Sequence, residues 1–162
     1  MTDLLATHLQ NHLAAARGGV DLFHRVAGSF EGSPTGEALA KLAAEVETDC
    51  EALRAVMTAA DIEENKPAGL LARVGERVAR LKPNGTLVRR SPLTNVVEME
   101  ALRGGVTAKL AGWDTLIEAS RTDDRLPQGR FEGLRARAIE QQERLLTLHR
   151  QVAAEVFGAA SS

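Results

Sequence analysis

Apolar residues recur at three- and four-residue spacing along four long stretches of the chain, and that period predicts four amphipathic helices at about residues 3–28, 34–59, 92–120 and 127–157. In the first, Leu5, Leu9, Ala16, Val20, Phe23 and Ala27 mark the buried stripe; His12 falls inside it, with His8 and His24 on its flanks. The second buries Leu39, Leu42, Val46, Leu53 and Met57, and places Asp49 near the stripe's centre with Glu45 and Cys50 at its edges. The loop between them is rich in glycine, and Ser33 before Pro34 is the expected N-cap of the second helix. An antiparallel hairpin follows, which brings His12 and Asp49 to one height and suggests a buried His–Asp hydrogen bond.

The third helix has bulky residues on one side: Val96, Met99, Leu102, Val106, Leu110, Trp113 and Ile117. Its other side, with Leu93, Val97, Ala101, Gly104, Ala108 and Ala111, is a second stripe of mostly small residues, so this helix is expected to be covered twice, with a homodimer or larger homo-oligomer as one cover. Glu98 lies between the two stripes. The fourth helix buries Phe131, Leu134, Ala138, Leu145, Val152 and Val156, with Gln142 and His149 projecting from the middle of that face.

Some thirty residues, 61–91, join the second helix to the third. Pro67 opens a short amphipathic segment to Leu81 whose stripe is Leu70, Leu71, Val74, Val78 and Leu81; Pro83-Asn-Gly turns the chain, and Ser91-Pro92 starts the third helix. Direct helix connections in bundles take about 2 to 8 residues, so a connector of this length carrying its own helix predicts a crossover, with the third helix parallel to the second. The connector is also basic: Arg73, Arg77, Arg80, Lys82, Arg89 and Arg90 face a single acid, Glu76. A solvated charged face is the simple explanation, and an anion site at Arg89 and Arg90 the alternative.

The chain has 162 residues, of which 44% are hydrophobic, enough for one core in a single domain, 1–162. A net charge of −2 gives no bulk attraction to nucleic acid or an anionic membrane, and no apolar run approaches the ~20 residues that span a bilayer. One cysteine, Cys50, precludes an intrachain disulfide, and the start Met1-Thr-Asp-Leu-Leu lacks a secretory pattern, so a cytoplasmic location is expected. No serine or cysteine has an activating sequence context, and no glycine-rich phosphate loop joins a strand to a helix.

Two long hairpins, a connector with its own helix and this total length resemble the ferritin-like superfamily. More closely, His8-Leu-Gln-Asn-His-Leu-Ala, Glu45-Val-Glu-Thr-Asp, Leu81-Lys-Pro-Asn-Gly, Ser91-Pro-Leu and Val97-Glu-Met-Glu-Ala-Leu look like a family of uncharacterised bacterial ferritin-like proteins. The resemblance implies an all-α, ferritin-like four-helix bundle with a long crossover connector. It would also imply a di-iron cage built of two Glu-x-x-His motifs and two further carboxylates. No Glu-x-x-His occurs here: Glu45 is followed three on by Thr48, Glu47 by Cys50, Glu98 by Ala101 and Glu140 by Glu143. At mid-height the stripes present Ala16, Val46 and Val106, with Gln142 as the polar member.

The sequence therefore leans away from an enzyme and toward a structural, stress-related or binding protein with no cofactor. The alternative is a metal-binding protein or oxidoreductase with a reduced site for iron, manganese or zinc drawn from His12, Asp49, Glu45, Glu98 and His149. A crossover puts His12 with Asp49 on one level and Glu98 with His149 on another, whereas an up-down-up-down bundle would bring all four together. Association with an anion or nucleic acid through the connector is the third possibility.

Overall fold

A computed structural model describes residues 4–65 and 91–159. The expected connector helix at 67–81, and with it Arg89 and Arg90, lies outside the described residues. Among the described residues there are four helices and no strand: α1 (Leu4–Ser29), α2 (Pro34–Ala59), α3 (Pro92–Ala119) and α4 (Gln128–Ala159). None of them is long and apolar enough to cross a membrane.

Local chemistry sets the ends of these helices. Ser33 has extended backbone and its Oγ accepts from Gly36 N at 3.1 Å, while Pro34 supplies the fixed φ of the first turn. At the other end of α2, Asp61 takes a left-handed φ of 58°, Asp61 N donates to Thr58 O and Ile62 N to Met57 O. That is a Schellman stop, and the nearly buried Ile62 packs into the same apolar cluster as Met57. Ser91 precedes Pro92 in extended backbone without a side-chain cap bond, so the proline starts α3.

α1 pairs with α2 and α3 with α4 as hairpins; α1 lies beside α3 and α2 beside α4. Named contacts give the directions. Gly112, near the end of α3, sits on His12, near the start of α1, and Arg25 near the end of α1 meets Glu98 near the start of α3 at 3.7 Å. α3 is therefore antiparallel to α1 and runs the same way as α2.

The interior forms two apolar clusters. One gathers Leu9, Leu13, Leu53, Met57, Trp113, Leu116 and Phe131; the other gathers Phe23, Val26, Leu39, Leu42, Met99, Leu102, Leu145 and Val152. Burying each such side chain contributes roughly 1.5–3 kcal/mol, which is what holds amphipathic helices together. The layer between the clusters is polar, and it holds the candidate chemistry.

Candidate functional site

Three helices each place one polar residue on their inward seam at this middle level. On α2 the seam runs Leu42, Val46, Asp49, Leu53, Val56; on α3, Leu102, Val106, Lys109, Trp113, Leu116; on α4, Leu134, Ala138, Gln141, Leu145. The shared four-three spacing is that of helices packed along their length, so the three polar residues meet in one layer. Asp49 is 1% exposed and Gln141 is fully buried.

Asp49 is saturated by its neighbours. Its Oδ2 accepts from Lys109 Nζ at 2.5 Å and from Gln141 Nε2 at 3.2 Å, and its Oδ1 accepts from Arg137 Nε at 2.7 Å. Lys109 also donates to Gln141 Oε1, and the Gln141 amide donates to Glu45 Oε2 at 3.2 Å. Arg144 closes the layer at its outer edge by donating to Glu45 Oε1 at 2.6 Å. The Lys109 side chain is only 14% exposed, and its burial lowers its pKa despite the opposing pull of Asp49.

The sequence pattern led to only part of this middle. Val46 and Val106 are buried as the expected hydrocarbon, but the charged layer lies one turn from them, and Gln142 turns aside to donate to Arg103 O and Thr107 Oγ1. Nor do His12 and Asp49 bond as expected. They line the same cavity, but charge-assisted bonds to Lys109 and Arg137 take the carboxylate. α1 buries Leu13 in the core, which turns His12 to a half-buried place against Gly112. The His12 ring lies 4.4 Å from that of His8, and burial lowers the pKa of both, with the neighbouring His8 lowering that of His12 further.

The remaining candidates stand apart. Glu98 faces Arg25 of α1, whereas His149 Nδ1 meets Arg103 Nη1 at 3.0 Å and its Nε2 lies 4.0 Å from Glu100. Of the five candidates, Glu45 and Asp49 share a network, through Gln141. Cys50 is buried, and burial raises its thiol pKa further, which leaves it protonated at neutral pH. Among the described residues no three of His, Cys, Asp or Glu converge as a metal cage.

Lys109, Arg137 and Gln141 were not picked out by composition or by the broad apolar stripes. The signal that could have found them is a polar residue on the seam between two apolar ones in α2, α3 and α4 at matching depth.

A second feature adjoins the layer. Between α1 and α3, and floored by α2, lies a cavity of about 320 Å³ whose lining includes His12, Gly19, Asp49, Gly105, Lys109 and Trp113. Of the small stripe on α3, Leu93, Ala101, Gly104, Ala108 and Ala111 are exposed, and Ala101 and Ala108 edge this cavity.

No family model, curated protein or solved structure matches the chain.

Proposed function

We propose that this chain is a ferritin-like bundle, with its connector crossing from one end to the other between α2 and α3, that works as a non-catalytic binding protein and carries an ion-paired layer in place of a metal centre. Supporting the crossover is the common direction of α2 and α3, read from the Gly112–His12 and Arg25–Glu98 contacts. A hairpin connection would have made those helices antiparallel.

The observation that carries the proposal is the bracketing of Asp49 between Lys109 and Arg137. A di-iron site needs carboxylates free to ligate cations, completed by imidazoles. Here the two carboxylates of the layer, Asp49 and Glu45, are already paired with an ammonium and two guanidinium groups, cations that do not ligate a metal ion and that repel one at this range. The imidazoles of His12 and His149 are turned to other partners. The donor set does not fit the metal group that the architecture implies, and no chemistry is routed through one.

Elemental analysis of protein purified without added metal or chelator tests this. Iron, manganese and zinc are expected well below one ion per chain, and ferrous iron added in air is expected to oxidise no faster than in buffer. One bound ion per chain, lost on replacing Asp49 with alanine, would sink the proposal in favour of a metalloprotein.

A further inference from the structure

α1 and α3 touch at one level and part at another. At Gly112 a Cβ would lie 2.6 Å from the His12 ring, so the helices pinch there; at Gly19 and Gly105, about two turns away, an added Cβ meets nothing within 4 Å. The cavity occupies the space where they part, and its walls are mainly hydrocarbon, with Phe23, Leu102 and Val106 among them. Its volume of about 320 Å³ falls at the small end of ligand sites.

Two donors at its edge lack acceptors. Lys109 commits two of its three N–H groups, to Asp49 and Gln141, and the third meets no acceptor among the described residues. Trp113, one turn further along α3 and 3% exposed, has a buried indole N–H without an acceptor among the described residues. Buried donors without partners are uncommon and call for an explanation. Asp49 is also shared: among the described residues its single charge faces both the nearly buried Lys109 and the more exposed Arg137.

We propose that this cavity binds a medium-chain monocarboxylate, its carboxylate accepting from Lys109 and Trp113 and its chain lying along Gly105 and Leu102 toward Phe23. At about 30 Å³ per water-sized group the cavity holds about ten, the non-hydrogen atoms of octanoate. From Lys109 to Ala101 α3 rises about 12 Å, enough for that chain extended. The head group supplies acceptors for both donors, and the tail meets only apolar wall. This deepens the binding function proposed above and rests on a layer without metal, since a cation at Asp49 would displace Lys109.

Titrating the whole 162-residue chain with octanoate, read by the emission of Trp113, its single tryptophan, tests the assignment. A saturable change is expected, with n-octanol binding at least about tenfold more weakly for want of the charge-assisted bond. Gly105→Leu fills the cavity from its wall without touching the layer, and is expected to weaken octanoate at least about tenfold while melting no lower than wild type; Gly19→Leu does the same from α1 should the first variant not fold. No saturable change, equal affinity for n-octanol, or wild-type affinity in a folded filled variant would each overturn the assignment. So would a dimer in sedimentation that Gly105→Leu dissolves while octanoate leaves Trp113 unchanged, which would give the cavity to a second copy. Metal content is measured first on the same preparation: one ion per chain overturns the metal-free layer, whereas a metal-free protein blind to octanoate overturns only the ligand.

Discussion

A methyl group added at Gly36 would overlap the carbonyl oxygen of Phe30, in the turn that α2 packs against, and backbone cannot step aside as a side chain can. Gly36→Ala is therefore expected to lower stability by about 1–3 kcal/mol in urea unfolding. Gly105 is the opposite case: it lies inside α3 with open space beside it, so Gly105→Ala is expected to raise stability by about 0.4–1 kcal/mol through a less flexible unfolded chain. Both glycines look alike in the sequence, and only their neighbours separate them. At His8 and His12 the shift in pKa has a pH consequence. Both folded-state values lie below the ordinary 6.5, so the unfolded chain binds protons more readily, and stability held above pH 6.5 is lost as pH falls through the folded values. The melting temperature is expected to drop between about pH 7.5 and about pH 5.5, and to drop less in a His8→Gln/His12→Gln double variant. An unchanged slope in that variant would place the pH dependence elsewhere.

Along the helices, the inward seams decide what the middle of the bundle contains. Asp49→Ala would leave Lys109 buried without its paired carboxylate, and is expected to cost about 3–5 kcal/mol in chemical denaturation. Replacing Asp49, Lys109 and Gln141 together by Leu, Met and Leu removes the buried pair and its amide while the partly exposed Arg137 turns to solvent, and is expected to be neutral or stabilising, because a buried ion pair gains little over hydrocarbon of similar size. A triple variant as unstable as the single one would mean that the layer is needed for packing rather than charge balance. The helices themselves were legible: the period placed α1 to α4 within one or two residues of 4–29, 34–59, 92–119 and 128–159, and Ser33 caps α2 as its position before Pro34 implied. The seam was not. Over a long helix, stripes at 106, 110, 113 and 117 and at 106, 109, 113 and 116 differ by one residue, and an apolar Leu110 outweighed a charged Lys109. Long polar side chains reach a core that their type alone does not predict, and Asp49 was recognisable because its short side chain must be buried where it stands.

For the molecule as a whole, the test of arrangement is the pinch between α1 and α3. Cysteines at His12 and Gly112, in a Cys50→Ala background, are expected to close a disulfide on oxidation, seen as faster migration without reductant, because the two positions adjoin. Failure of that bond to form would reverse the direction of α3. With α3 antiparallel to α1, the residues once considered for a metal divide between the two halves of the bundle and the layer between them, and Asp49 finds its partners on α3 and α4 instead. The sequence by itself determined the helices, their ends and the absence of strands among the described residues, since those depend on period, proline and capping within a few residues of one another. Tertiary structure alone decided which polar residues share a layer, which histidine meets which neighbour, and where α1 and α3 part to leave a cavity. Those contacts join residues tens of positions apart, and a rotation of one helix by a single residue, about 100°, exchanges one set of partners for another.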